Sequence, residues 1–256
     1  MLEVDGVSKS YRGIPAVRDV SLVAGPGQVI GLLGPNGSGK STTVKMLVGL
    51  LRPTAGTVRW CGLDVHDAAN LRVYQRLFGY VPEEPRLYNY LTAIEYLELV
   101  GGLRRLEHQV LRRRIDRFLE LFGLGNEQHV PISSFSKGMR QKVLISAALL
   151  HDPQIVVLDE PCSGLDVGST LILRRMVTAL ARRGTTVIYS SHVMDMVERV
   201  CDDVLILHKG RVVAHDSVSR LRELAQAASL EEVFAALAVD QDVNRIGDEL
   251  AAVALS

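Results

Sequence analysis

The stretch VIGLLGPNGSGKSTTVKMLVGLL, from Val29 to Leu51, decides the fold. VIGLL is a short, continuous apolar run bounded by glycines, the pattern of a strand buried on both faces of a sheet. GPNGSGKS, Gly34 to Ser41, matches the phosphate-loop pattern G-x-x-x-x-G-K-S/T. STTVKMLVGLL then changes to a helical pattern. That order is physically required: Gly34, Gly37 and Gly39 let backbone N–H groups close around phosphate oxygens, and the following helix start adds a favourable dipole. On this reading Lys40 reaches the β- and γ-phosphates of a nucleotide, and the Ser41 hydroxyl completes a magnesium site.

A second acidic element supports the first. IVVLDE, Ile155 to Glu160, is an apolar strand ending in two carboxylates. A buried strand delivers its last residues to the sheet edge where ligands of open α/β sheets bind. Asp159 is then placed to hold magnesium directly or through water, and Glu160 to polarise a water in line with the γ-phosphate. A strand ending in Asp-Glu is weak evidence alone and becomes strong beside a phosphate loop.

The separation between Lys40 and Asp159 is longer than a simple nucleotide kinase core needs, and a helical block fills it. Leu103, Leu106, Val110, Leu111, Ile115, Phe118, Leu119 and Phe122 recur at spacings of three and four, an amphipathic stripe. Arg104, Arg105, Arg112, Arg113, Arg114 and Arg117 surround it and read as a solvated helix face, with a role at an anionic lipid surface as the alternative. Ser136 precedes an apolar helical run and reads locally as an N-cap, or as a helix start which, with the Gly138 backbone, faces a phosphate.

Elsewhere, strands are expected at LEVDGV (2–7), AVRDVSLV (16–23), QIVVLDE (154–160), TTVIYSS (185–191) and DVLILHKG (203–210). Helices are expected near 170–183, near 193–200 and from Ser217, with a capping-box start at Ser229 and Glu232.

Composition bounds the rest. Lys and Arg total 29, balanced by 29 Asp and Glu, and a formal charge of zero argues against a protein that grips nucleic acid through phosphate contacts. The three cysteines, Cys61, Cys162 and Cys201, are too few and too scattered for a disulfide framework, which favours a reducing cytosol. No secretory h-region follows the N-terminus and no window reaches 18 uninterrupted apolar residues, so the chain is not expected to cross a membrane by itself.

Taken in order, GPNGSGKS, FSKGM (135–139), IVVLDE, SGLD (163–166) and His192 resemble the nucleotide-binding subunit of ABC transporters from Tyr11 to about Ala225. The resemblance implies an α/β fold: a P-loop NTPase core with a mostly parallel sheet, an N-terminal antiparallel β subdomain and an inserted α-helical subdomain at about 84–152. The nucleotide-binding domain would then span 1–225, with a C-terminal helical extension over 226–256. It also implies that Gly34, Pro35, Asn36, Gly37, Ser38, Gly39, Lys40, Ser41 and Thr42 bind ATP and that Tyr11 stacks on adenine. His192 would contact the γ-phosphate and act with Glu160 and Lys40 in hydrolysis. Ser136, Lys137 and Gly138 would act in trans on a second subunit, and Asp166 would join the two subunits. Without the resemblance, Tyr11 reads as a half-buried strand residue and His192 as a core histidine.

Departures from the family pattern are informative. Lys137 and Met139 stand where many relatives have Gly and Gln, while Ser136 and Gly138 are kept. Glu83, in YVPEE, stands where many members have Gln; a carboxylate there serves as a water or magnesium ligand, so Ser41, Glu83 and Asp159 form the expected Mg²⁺ set. Cys162 stands where Thr is frequent and reads as a packing substitute. SKGM, PEE and the terminal LEEVF together resemble the ABC-2 subgroup, mostly exporters. The implied partners are a second nucleotide-binding subunit and a transmembrane permease docked around Glu83 to Leu103. The implied location is the cytoplasmic face of the cell membrane. Rival readings are a soluble ABC ATPase acting on ribosomes or nucleic acid, a binding-only regulator and a P-loop kinase.

Overall fold

The computed structural model describes residues 1–84 and 86–238. β1 (Leu2–Tyr11) and β2 (Ile14–Ala24) form an antiparallel hairpin turning at Arg12 and Gly13. β3 (Val29–Leu33) runs through the glycine loop into α1 (Lys40–Leu47). β4 (Ala55–Trp60) pairs with the other side of β1, and β5 (Leu63–Asp64) completes an antiparallel sheet in the order β2-β1-β4-β5. α2 (Ala68–Leu77) is capped by Asp67, whose carboxylate accepts from the Ala69 N–H, and passes directly into β6 (Phe78–Val81).

The helical block follows. α3 (Ala93–Leu103) opens on a capping box in which Thr92 Oγ1 accepts from the Glu95 N–H and the Glu95 carboxylate accepts from the Thr92 N–H. α4 (His108–Leu121) opens on Glu107, which accepts from the N–H groups of Gln109 and Val110. A short 3-10 turn (Ile132–Ser134) precedes α5 (Lys137–Leu149). The amphipathic stripe read over Leu103 to Phe122 is interrupted: Leu103 is 77% exposed, and the chain turns through Arg105 at φ +57°. A left-handed residue ends the helical register, and burial resumes in α4 with Leu111, Ile115 and Leu119.

β7 (Ile155–Asp159), α6 (Val167–Arg182), β8 (Thr186–Ser190), α7 (Met194–Val200) and β9 (Asp203–His208) complete the strand and helix alternation, followed by β10 (Arg211–Ser217), α8 (Val218–Ala225) and α9 (Leu230–Ala238). The central sheet has the order β10-β9-β3-β8-β7-β6, parallel except for the β9–β10 pair. Its central strands divide their side chains between two cores. Val156, Leu158, Val187 and Tyr189 enter the core shared with the helical block, whereas Ile155, Val157 and Ile188 enter the one under the antiparallel sheet. Alternate residues point to opposite faces, so a strand covered on both sides must be apolar throughout. Leu230 and Val233 of α9 are buried in the first of these cores, and positions 239–256 of the segment read as a C-terminal extension lie outside the described residues.

Two of the six clustered arginines are not solvated. The Arg104 guanidinium, half-buried, donates to the carbonyls of Gln75 and Phe78 and lies 5.9 Å from the centre of the Phe78 ring, while Arg114 donates to the Leu150 carbonyl at 2.5 Å. Helix and strand ends leave carbonyls without partners, and these side chains fill that need across the seam between block and core. His151 lies at the same seam. Its Nε2–H donates to the Phe78 carbonyl at 3.0 Å, and its buried Nδ1 has no partner.

Burial, reinforced by the Arg104 and Arg114 charges, pushes His151 down to about 4. The unfolded chain therefore binds the proton first, near pH 6.5, and stability falls as the pH drops from there towards 4. After allowance for solvent screening, we expect this residue to cost about 1–2 kcal/mol between pH 7 and pH 4.5. Urea unfolding across that range, compared with His151→Gln, measures it. Equal pH slopes in the two proteins would remove His151 as the source.

Candidate active site

The glycine loop is shaped by lack of space. At Gly34 a Cβ would run into the Ser38 side chain and the Leu207 carbonyl, and at Gly39, with φ +107°, it would lie 2.8 Å from the Ala16 carbonyl. Glycine is the residue that tolerates both demands. Gly39 is also the N-cap of α1 and makes no side-chain cap, so no side chain occupies the N–H groups of the first turn. Such a turn is suited to an anion.

A depression of about 310 Å³ joins Asn36, Gly37 and the 39–42 segment to Glu83, Asp159 and Glu160. Lys40 is buried at its floor, with Nζ donating to the carbonyls of Gly34 at 2.6 Å and Pro35 at 3.3 Å. Burial pulls its pKa down, opposed by the charges of Glu160, Asp159 and Glu83. Asp159 ends β7 with Oδ1 buried and without a hydrogen-bond partner. Burial raises its carboxyl above the usual range; Glu83 and Glu160 add to the effect, while Ser190 and Lys40 oppose it. The site thus sets one cation among three carboxylates, with backbone amides facing the same space.

Glu160 has an unusual backbone for a non-glycine residue, φ +48°. Its N–H donates to the Ser190 carbonyl at 2.8 Å, which fixes the turn at the end of β7. Oε2 accepts from the Ser191 hydroxyl at 3.1 Å, and Oε1 lies 2.7 Å from His192 Nδ1. The carboxylate is 10% exposed and the imidazole 65%, so His192 projects to the surface while holding a buried acid. A left-handed conformation costs about 1–2 kcal/mol, and strain of that size persists where surroundings over-determine the geometry. An oriented, desolvated carboxylate beside a phosphate-sized space has the geometry of a general base for water.

The remaining predicted positions lie outside this depression. Tyr11 ends β1, 46% exposed, with the Lys9 ammonium 5.8 Å from its ring centre. Ser136 is the N-cap of α5 and accepts from the Met139 N–H at 3.2 Å. Lys137 Nζ donates to Ser163 Oγ at 2.6 Å, and a Cβ on Gly138 would lie 2.5 Å from the Gly164 carbonyl, so this segment packs on SGLD of its own chain. Asp166 caps α6, accepting from the Ser169 N–H at 2.7 Å and its hydroxyl at 2.9 Å; those bonds hold the carboxyl below its usual range. Cys162 Sγ lies 3.2 Å from the Tyr189 hydroxyl.

Two contributors escaped the sequence reading. Ser191 orients Glu160, and its one visible signal is its position between a buried strand and His192. Ala16, which lines the depression, arrives from β2 with no local signal at all. Among the described residues no three His, Cys, Asp or Glu side chains are grouped so as to hold a metal by themselves, and no helix is long and apolar enough to cross a membrane.

Comparison with known proteins identifies the family. The sequence model of the ABC transporter family matches residues 17–163. The chain is 38% identical over 222 residues to the ABC transporter ATP-binding protein NatA of Bacillus subtilis (strain 168), covering 86% of this chain and 89% of NatA. Among solved structures, an ATP-binding subunit of an ABC transporter superposes with a TM-score of 0.86 at 35% identity, over 93% of this chain and 99% of that one. The ATP-binding cassette MJ0796, solved as a dimer in a post-hydrolysis state bound to ADP and Pi, gives a TM-score of 0.78 at 25% identity, over 85% and 98%. With its phosphate loop and oriented Glu160, the chain belongs to the ABC transporter family as an ATP-binding subunit, and it is an ATPase.

Proposed function

We propose that the chain powers a separate membrane permease of exporter type from the cytoplasmic face of the membrane, two nucleotide-binding subunits closing over ATP. One observation carries this reading. The depression holding Lys40, Asp159 and Glu160 is lined by one subunit's loop and strand ends, while Ser136 to Gly138 lie outside it. This arrangement leaves the depression open to a second subunit's signature segment, which would complete the enclosure. Closure is favoured while the γ-phosphate is present, because that state alone makes both sets of contacts, and hydrolysis removes the preference.

Within the site, loop amides and Lys40 grip the phosphates, Tyr11 stacks on adenine, Glu160 takes the proton of the attacking water, and His192 holds Glu160 and meets the γ-phosphate. Asp166 lies at the junction of the subunits. The buried, partnerless Asp159 Oδ1 beside Ser41 and Glu83 is a hard-oxygen set that fits Mg²⁺, an ion bound through one or two carboxylates together with substrate phosphates. When bound, Mg²⁺ would neutralise developing charge on the phosphates.

Affinity purification of the tagged chain from detergent-solubilised membranes tests the partner. A polytopic membrane protein in stoichiometric amount is the expected companion. Ribosomes or nucleic acid in its place would overturn the permease reading and favour a soluble ABC ATPase.

A further inference from the structure

The turn that follows β7 is held from several directions. The Glu160 N–H donates to the Ser190 carbonyl at 2.8 Å, and the Glu160 carbonyl accepts from the Ser163 N–H at 3.1 Å, closing a four-residue turn with Pro161 at its second position. Cys162 Sγ lies 3.2 Å from the Tyr189 hydroxyl on one side. The hold on the other side comes from α5. Gln141 Nε2 donates to the Pro161 carbonyl at 3.1 Å, and the whole Gln141 side chain is buried. That carbonyl belongs to the central peptide of the turn, whose orientation distinguishes the two commonest turn types; the alternative type needs a left-handed residue at Cys162, which Cys162 is not. Gln141 thus fixes the peptide directly after Glu160, the residue held at φ +48°. Strain of that kind persists only where surroundings over-determine it.

Packing alone does not account for a glutamine at 141. Its Oε1 is buried without a hydrogen-bond partner, and a buried amide oxygen left unpaired is a cost. A methionine of similar length would fill the space without that cost, but it has no N–H to give the Pro161 carbonyl. We propose that Gln141 is a positioning residue for hydrolysis, aiming the Glu160 carboxylate by holding the Pro161 carbonyl from α5. The proposal rests on the reading of Glu160 as general base. Gln141 itself does not line the depression that holds Lys40, Asp159 and Glu160, so it acts on turnover and not on nucleotide binding.

The test is steady-state ATP hydrolysis by the full chain, with the affinity for a fluorescent ATP analogue measured beside it. In Gln141→Met, kcat is expected to fall about 10- to 10²-fold, the scale of a small misplacement caused from outside the reacting groups, with the analogue's affinity unchanged. In Gln141→Glu, the buried carboxyl donates to the Pro161 carbonyl only while protonated. Its turnover relative to wild type should therefore be highest at low pH and drop as the pH rises, whereas the Met variant should keep a constant ratio. The Gln141→Glu ratio is read within one protein, so it decides the question even if Gln141→Met folds poorly. Added to Glu160→Gln, where the base is already gone, Gln141→Met should cost no further turnover. Wild-type kcat in Gln141→Met, a loss confined to nucleotide affinity, a pH-independent ratio in Gln141→Glu or a further multiplicative loss in the double variant would each overturn the proposal. Near-normal turnover in Glu160→Gln alone would remove the base reading on which the proposal rests; the other outcomes count against Gln141 only.

Discussion

Glu160→Gln is expected to abolish most turnover while sparing nucleotide binding. Gln is nearly isosteric, and its amide oxygen can accept either the Ser191 hydroxyl or the His192 bond that now orients the carboxylate. The left-handed backbone at 160 is not an obstacle, since Gln226 adopts φ +53° elsewhere in the chain. What the amide cannot do is take a proton from water. We expect phosphate release to fall by at least ~10²-fold, the scale for losing a general base. If closure depends on an intact γ-phosphate as proposed, the variant should also accumulate as an ATP-dependent dimer on size-exclusion chromatography, while wild type returns to monomer as it hydrolyses. Near-normal turnover would remove Glu160 from the base role.

How much of this was legible follows from how local each signal is. The phosphate loop could be read because its requirement is local: glycines at fixed spacing and an amide-lined helix start, recorded in GPNGSGKS alone. Ser136 could be read as a cap for the same reason, and its hydroxyl accepts from the Met139 N–H. β6 escaped notice because its four residues become a strand only by pairing with β7, with Gly79 backed against the Ala148 carbonyl. β4 alternates only over Thr57 to Trp60, with Val58 and Trp60 buried, and this short beat becomes a strand by pairing with β1. Arg104 and Arg114 were misread as solvated because helical periodicity carries no information about distant carbonyls. The groups that capture them belong to Gln75, Phe78 and Leu150. The Ser191 bond to Glu160 was hidden for a related reason, since it joins the ends of two strands that the sequence keeps 31 residues apart.

Lys40→Ala should weaken ATP binding more than it perturbs the fold. Its ammonium is anchored on the Gly34 and Pro35 carbonyls and stands among Asp159, Glu160 and Glu83. Two losses follow from truncation. The phosphates lose a charge-assisted hydrogen bond worth about 1.5–3 kcal/mol, which is roughly 10- to 100-fold in affinity. The three carboxylates also lose the cation that offsets them at the site, so an incoming polyanion meets a more negative depression. Stability should change less, because removing a buried ammonium relieves its desolvation while stranding carbonyls that already sit in a loop. Lys40→Arg should not restore binding, since a rigid guanidinium fork cannot replace a compact ammonium on the floor of a loop already too tight for a Cβ at Gly34. Titration with a fluorescent ATP analogue, alongside thermal unfolding, separates the two effects. An affinity loss below about threefold, under 1 kcal/mol, would show that the backbone amides of the loop hold the phosphates without Lys40.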